Sequence, residues 1–463
     1  MLKSKNGITL VALVMTIIIL LILAGISISS LTDNGLFGKA KEADEKHNQA
    51  VANEQSALQD YLDVLKVNDP NDSALDGQGT EAEPYVIKSI EDLVLFAYDV
   101  NQGKDYQGKY VKLEKDLDFK LDESYENPYR TNYATYGYDG ELKTLLTTGE
   151  GFKPIGTTKN NDNTGNSFFG IFDGNGKTIS NLRINKESNI VTDIGLFTSN
   201  SGEIKNLGIK DCNINIKSSE NINKYWSCGV ICGYNYGKID NCWTSGNIKG
   251  IYDVETNVYF GGIAGGGSNK INSEASITNC YNKTNINAVM NSTGSMYIGG
   301  IIAGKLILPV SNCYNLGNIS GEQKGTSKLS VGGVVGNGSG MIDRCYNIGK
   351  IEGKQPDSMP RVGGISGGCG DAEYICNVGE IIYEGTSTKY VGTLLGLTEG
   401  TVSNSYTLTN ETLNGIGRNY SSTPEPTKVD TVAEMPTILE IVGEGFKEDT
   451  NNINNGYPIL TWQ

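Results

Sequence analysis

Apolar residues change their spacing twice along this chain. Ile8 to Leu31 is a run of 24 residues without a charged side chain, and as a helix it would span about 36 Å, enough to cross a bilayer. From Leu36 to Leu65 the chain is rich in Ala, Glu, Lys and Gln, and Val51, Leu58, Tyr61, Leu62 and Leu65 fall near helical spacing. Glu42 and Lys46 add a favourable i,i+4 pair. After the turn-rich run Asn68-Asp69-Pro70-Asn71-Asp72-Ser73 the pattern shortens to strands: Tyr85-Val86-Ile87, Tyr110 to Leu113 and Leu117 to Phe119, with a brief helix around Ile90 to Asn101. Asn127 to Glu150 reads as a loop insertion.

Beyond Gly170 the short apolar runs repeat. Gly195, Gly229, Gly262, Gly300, Gly333, Gly364 and Gly392 are separated by 34, 33, 38, 33, 31 and 28 residues. A second series, Cys212, Cys242, Cys280, Cys313, Cys345, Cys376 and Ser405, has steps of 30, 38, 33, 32, 31 and 29. Each series has its long step in the same place, as expected if an insertion near Ser268 to Ala275 enlarges one unit. A shared period of about 30 residues predicts stacked units. A typical unit offers a Gly-Gly-apolar-apolar-Gly strand, an Asn-Cys-Tyr-Asn strand and an apolar-Gly-x-Ile strand. Three short strands fit one or two coils of a β-solenoid better than a propeller blade of about 40 to 45 residues. Tyr281, Tyr314 and Tyr346, with Trp243 before them, would stack along one face, where aromatic and Asn side chains suit a sugar or protein ligand.

Composition agrees with an all-β body. Only 38% of the 463 residues are hydrophobic, while Gly (59) and Tyr (25) are abundant. The net charge of −15 excludes a basic nucleic-acid-binding field. Six of the nine cysteines fill one series, and the seventh copy replaces Cys with Ser405, which cannot bridge. The series is read as a column of small, buried, largely reduced residues. Cys228, Cys232 and Cys369 lie on the glycine side, and a Cys228–Cys232 bridge stays open.

Lys5-Asn6-Gly7-Ile8-Thr9-Leu10-Val11-Ala12-Leu13, a short basic leader ending in Gly and running into the apolar segment, resembles the N-terminus of type IV pilins and pseudopilins. That resemblance implies cleavage after Gly7 by a prepilin peptidase, N-methylation of Ile8, and other pilin-like subunits as partners. The family usually has glutamate where Ala12 stands, which points to a minor subunit or a membrane anchor rather than a major pilus. An uncleaved signal anchor is the alternative. Lys3 and Lys5 before the apolar run and Asp33 after it put the N-terminus in the cytoplasm and the body outside, as a single-pass protein of the bacterial cell membrane.

The run Gly79 to Ile87, the turn-rich Phe172-Asp173-Gly174-Asn175-Gly176-Lys177-Thr178-Ile179, and motifs such as Gly195-Leu196-Phe197 and Gly333-Val334-Val335-Gly336 resemble bacterial surface proteins with GLUG-type repeats. This implies a right-handed β-helix-like solenoid, often in secreted or adhesive proteins. The expected organisation is a leader (1–7), a transmembrane helix (8–31), a helical stalk (32–68), a linker (69–80), a cap with entry strands (81–169), the solenoid (170–409) and a C-terminal cap (410–463).

Candidate chemistry is sparse. The single histidine, His47, lies on the stalk, so a Ser/His/Asp triad or a His-based zinc site is not expected, and no cofactor or metal is assigned. Asp116, Asp118 and Asp173 are the nearest candidates for a lyase or hydrolase on this scaffold, and their plain reading is as turn residues. The expectation is a non-enzymatic surface protein displaying its solenoid for adhesion or for incorporation into a filament, with an extracellular glycan or protein as ligand. A glycan-active enzyme is the alternative.

Overall fold

The computed structural model describes residues 14–21, 46, 49, 75–121, 136, 138, 140–157, 165–187, 193–219, 225–268, 274–356 and 360–463. The chain divides into two compact units, 1–67 with 132–137, and 68–131 with 138–463. In the first, residues 14–21 are helical, and Val14, Met15 and residues 17–21 are between 45% and 67% exposed. Among the described residues no helix is long and apolar enough to cross a membrane. Gly7, Ile8, the remainder of the predicted span, and the predicted stalk with His47, apart from Lys46 and Gln49, lie outside the described residues.

The second unit is a parallel β-solenoid. Its register makes each repeat one coil: Gly299 pairs with Gly332 and Gly332 with Gly363, while Tyr281 pairs with Tyr314 and Tyr314 with Tyr346. One coil carries four strands, Leu329–Gly332, Val335–Gly338, Ile342–Asn347 and Ile351–Gln355. The Gly-Gly pair, expected within a strand, is therefore a corner between two. Alternation puts every second side chain inside, and parallel pairing stacks like on like. Val111, Phe172, Ile204, Ile239, Ile277, Val310, Ile342, Ala372 and Val402 form one unbroken interior column, none more than 2% exposed. Burying an Ile in such a column contributes roughly 1.5–3 kcal/mol.

Close approach, rather than positive φ, explains the second glycine of each pair. A Cβ on Gly333 would stand 2.1 Å from the Gly364 carbonyl oxygen and 2.4 Å from Asn347 Cγ, and Gly262, Gly300 and Gly364 meet Asn282, Asn315 and Asn377 in the same way. The glycines thereby make room for a buried amide chain. Asn282 Nδ2 donates to Asn315 Oδ1 (2.7 Å), Asn315 to Asn347 (2.7 Å) and Asn347 to Asn377 (2.8 Å). Each Nδ2 also donates to the backbone carbonyl two residues on, at 2.8–2.9 Å. Thr244 supplies a hydroxyl at one end and the Thr393 carbonyl accepts at the other. In a low dielectric such a chain is worth more than its members separately, provided every member is satisfied.

Positive φ is used instead at the bend just before Cys242, Cys280, Cys313 and Cys345 and at its equivalents in other coils. Asn206, Asn241, Asn279, Asn312, Arg344, Tyr374 and Asn404 have φ between 46° and 54°, a conformation Asn tolerates better than most residues.

One end of the coil stack is covered by a helix, and the other is extended by short strands. At the start, the helix Ile90–Asn101, capped by Ser89 accepting from the Asp92 amide, buries Leu93, Phe96 and Val100. Phe96 packs edge-on to Tyr106 at 5.0 Å and stacks on Phe172 at 5.8 Å. Within the expected loop insertion, Leu142–Thr147 is a short helix burying Leu142 and Leu146. The predicted C-terminal cap divides in two. Asn414–Asn419 and Thr427–Val429 pair with the last coil, whereas residues 432–463 turn back along the flank and pack Ile438, Ile441, Val442, Phe446 and Leu460 against Tyr281, Tyr314 and Tyr346.

Candidate functional site

The cysteine series is not one column. Register places Cys313 opposite Cys345, but Cys345 opposite Ile375 and Tyr346 opposite Cys376. Ile375 then meets Ser405, so the serine holds its predicted place while Cys376 stands among the tyrosines. Cys212 also stands elsewhere: the chain bends twice there, at Asn206 and again at Asp211, and Cys212 follows the second bend, paired with Gly246. Cys242, Cys280, Cys313 and Cys345 remain as the stack. Each thiol donates to the carbonyl two residues earlier, at 3.0–3.2 Å, which gives that carbonyl a partner at the bend. All nine cysteines are buried and unbridged. Burial pushes the thiols of Cys212, Cys369 and Cys376 up to about 12, so they stay protonated at neutral pH and are poor nucleophiles.

The three carboxylates act as turn and inter-coil ties. Asp116 accepts from the amide and hydroxyl of Thr178 (2.7 and 3.0 Å). Asp118 accepts from the Asn181 side chain (2.6 Å) and the Lys120 amide (2.8 Å). Asp173 accepts from the Asn175 amide (2.7 Å) and Asn206 Nδ2 (3.0 Å). Among the described residues no group of three or more His, Cys, Asp or Glu is placed to hold a metal ion.

The tyrosine stack forms as expected, but it is not a free surface. Trp243, Tyr281, Tyr314 and Tyr346 lie nearly parallel, with centroids 4.8–5.7 Å apart. The C-terminal tail covers them: Tyr314 and Tyr346 are fully buried and Tyr281 is 7% exposed. Tyr314 Oη donates to Gln463 Oε1, Tyr346 Oη donates to the Pro458 carbonyl, and Trp462 Nε1 donates to the Asn279 carbonyl. The interior asparagines are equally inaccessible.

A second aromatic group lies on another flank. Tyr259 stacks on Tyr297 at 4.9 Å, and Tyr225 packs against Tyr234 and Tyr259. Tyr234 lies against Gly266 and Tyr259 against Gly304, where added Cβ atoms would come within 2.7 and 2.9 Å of the rings. Burial raises the phenols of Tyr225, Tyr234, Tyr259 and Tyr297 above their ordinary value. Its signal in the sequence is a tyrosine two places before Gly-Gly in consecutive repeats, Tyr259 before Gly261-Gly262 and Tyr297 before Gly299-Gly300.

What the solenoid leaves open is the outer face of the strands 183–187, 213–218, 247–252, 286–290 and 319–323. Arg183, Asn213, Asn247 and Asn285 form one outward row, and Asn185, Asn215, Lys249, Asn287 and Ser320 another. Asn213, Asn247, Asn285, Asn287, Lys217 and Lys249 are exposed. Neighbouring amides hold one another: Asn215 Nδ2 donates to Asn185 (3.1 Å) and Asn213 (2.9 Å), and Asn285 to Asn247 (3.4 Å). The rows therefore present fixed amide donors and acceptors at the coil spacing of about 4.8 Å. At their first end Arg183, Lys186, Lys217 and Lys249 border a cleft of about 530 Å³.

No family model matches the chain. Over 176 residues, 38% of its length, it is 26% identical to halomucin of Haloquadratum walsbyi (strain DSM 16790 / HBSQ001). It spans 2% of that relative. Among solved structures it is similar to one described as "a putative immunoglobulin A1 protease" from Bacteroides ovatus, with 17% identity and a TM-score of 0.47 over 84% of this chain and 95% of the other.

Proposed function

We propose that this chain is a membrane-anchored, pilin-like bacterial surface protein whose right-handed β-solenoid serves adhesion or incorporation into a surface filament. The observation that carries the reading is the run Lys5 to Leu13, a basic leader ending at Gly7 and opening directly into an uncharged apolar segment. The solenoid supports it as a repetitive scaffold whose interior chemistry is spent on packing. Its exposed chemistry is an open polar face suited to extended ligands.

Mass spectrometry of the mature N-terminus is the test. A chain beginning at N-methylated Ile8 is the expected result, with prepilin peptidase as the processing partner. An intact Met1 rejects pilin-type processing. Recovery of the protein in sheared high-molecular-weight filaments would assign it to a pilus, and its confinement to membranes as a monomer would leave the anchor alone.

A further inference from the structure

We infer that the cleft at the first end of the amide rows binds the carboxylate of a sparsely charged acidic polysaccharide, whose chain then runs along the asparagine face. This rests on the surface-display reading and names the ligand class for it.

Lys217 pairs in register with Ile251, and Lys249 with Asn215. The two lysines are thus outward on neighbouring coils and offset by two residues. At a strand spacing of about 4.8 Å and a rise of about 3.3 Å per residue, their Cα positions are about 8 Å apart, close enough for both ammonium groups to reach one carboxylate. Glu187 stands opposite Lys217. Among the described residues, however, neither lysine is engaged in an ion pair: Lys186 takes Glu150 at 2.9 Å, and Arg183 donates to the Thr148 and Gly149 carbonyls. The cleft holds four cations against Glu150 and Glu187, a local excess of positive charge on a chain of net charge −15.

That contrast selects the ligand. A densely charged polyanion meets the repulsion of the whole molecule, whereas a chain with isolated carboxylates meets it only where two cations wait. Beyond the cleft the face offers Asn247, Asn285 and Asn287, each with donor and acceptor on one group. They suit hydroxyls, which likewise donate and accept. The outward apolar side chains of the face are Ile251 and Val289, both half-buried, and among the described residues its outward rows carry no aromatic anchor of the kind a peptide needs.

The test uses the full chain in detergent micelles and immobilised polygalacturonate with most of its carboxyls methyl-esterified, so that the free carboxylates are isolated, with dextran and poly-glutamate as comparison surfaces. The expected result is salt-sensitive binding to polygalacturonate over both others, weakened about tenfold in Lys217→Gln/Lys249→Gln and retained in Lys217→Arg/Lys249→Arg. Because both side chains are exposed, the unfolding midpoint of the Gln variant should match wild type, which separates lost binding from lost fold. No polygalacturonate binding at low salt, or equal binding by the Gln variant, overturns the inference. Equal capture by poly-glutamate overturns the sugar specificity. The mature N-terminus is read independently, so loss of this inference leaves the surface-display reading standing, and an intact Met1 leaves this one standing.

Discussion

Asn347→Asp tests whether the buried amide chain holds the coils together. The substitution keeps the shape and removes the donor. In the native protein Asn347 Nδ2 donates to Asn377 Oδ1 and to the Gly349 carbonyl, while its Oδ1 accepts from Asn315. In the variant a protonated carboxyl supplies one of the two donated bonds and loses the other, at about 1 kcal/mol. An ionised carboxylate turns both contacts into oxygen facing oxygen at a fully buried site. Desolvation and those acceptors hold the introduced carboxyl well above its unfolded value of about 3.9, near 7 as a rough figure for a site this enclosed. The sign follows: below about pH 4 both states are protonated and the ionisation penalty is absent. It accumulates as pH rises towards the folded value and reaches about 4 kcal/mol near pH 7, at about 1.4 kcal/mol for each pH step between the two values. Urea unfolding of variant and wild type at pH 4 and pH 7 should therefore give a small difference at pH 4 and one larger by at least about 2 kcal/mol at pH 7. Equal differences at the two pH values would refute the argument that this column is dry and donor-dependent.

Two further outcomes are open to direct measurement. Gly333→Ala should destabilise by about 3 kcal/mol, because its Cβ would meet the Gly364 carbonyl and Asn347. Gly176→Ala, at φ 68° with nothing within 4 Å, should cost only the backbone strain of about 1–2 kcal/mol; equal costs in thermal unfolding would remove the close-approach account. Thiol labelling should find nine reactive cysteines in urea under non-reducing conditions and almost none in the native protein at pH 8, since all nine are buried and unbridged. Fewer than nine in urea would mean that a bridge exists.

The coil period was legible in the Gly series because close approach keeps those glycines small: Gly262, Gly300, Gly333 and Gly364 each face an interior Asn, and neither partner can change size without striking the other. The exact column of each cysteine was not. Cys345, Tyr346 and Asn347 are all buried, the first in the core and Tyr346 under the C-terminal tail, so alternation gives no polar side by which to detect a one-residue shift such as that at Cys376. Cys212 escaped for a related reason: only the backbone reveals a second bend at Asp211. The open amide face was visible as scattered Asn residues, but its flatness depends on parallel register across five strands. The covering of the tyrosines was beyond sequence reasoning, because Tyr346 meets Asn454 and Pro458 more than a hundred positions away.

That tail alters how the array responds to damage. In a stack of repeats each unit relies on its neighbours, and trimming one end normally weakens that end alone. Here residues 432–463 fasten coils made long before them. A premature stop after the final coil would strip the flank of the middle of the stack, around Tyr281 to Tyr346, while the terminal strands kept their pairing. Nascent chains can wind coil upon coil during synthesis, yet the latch closes only once residues 432–463 have been made.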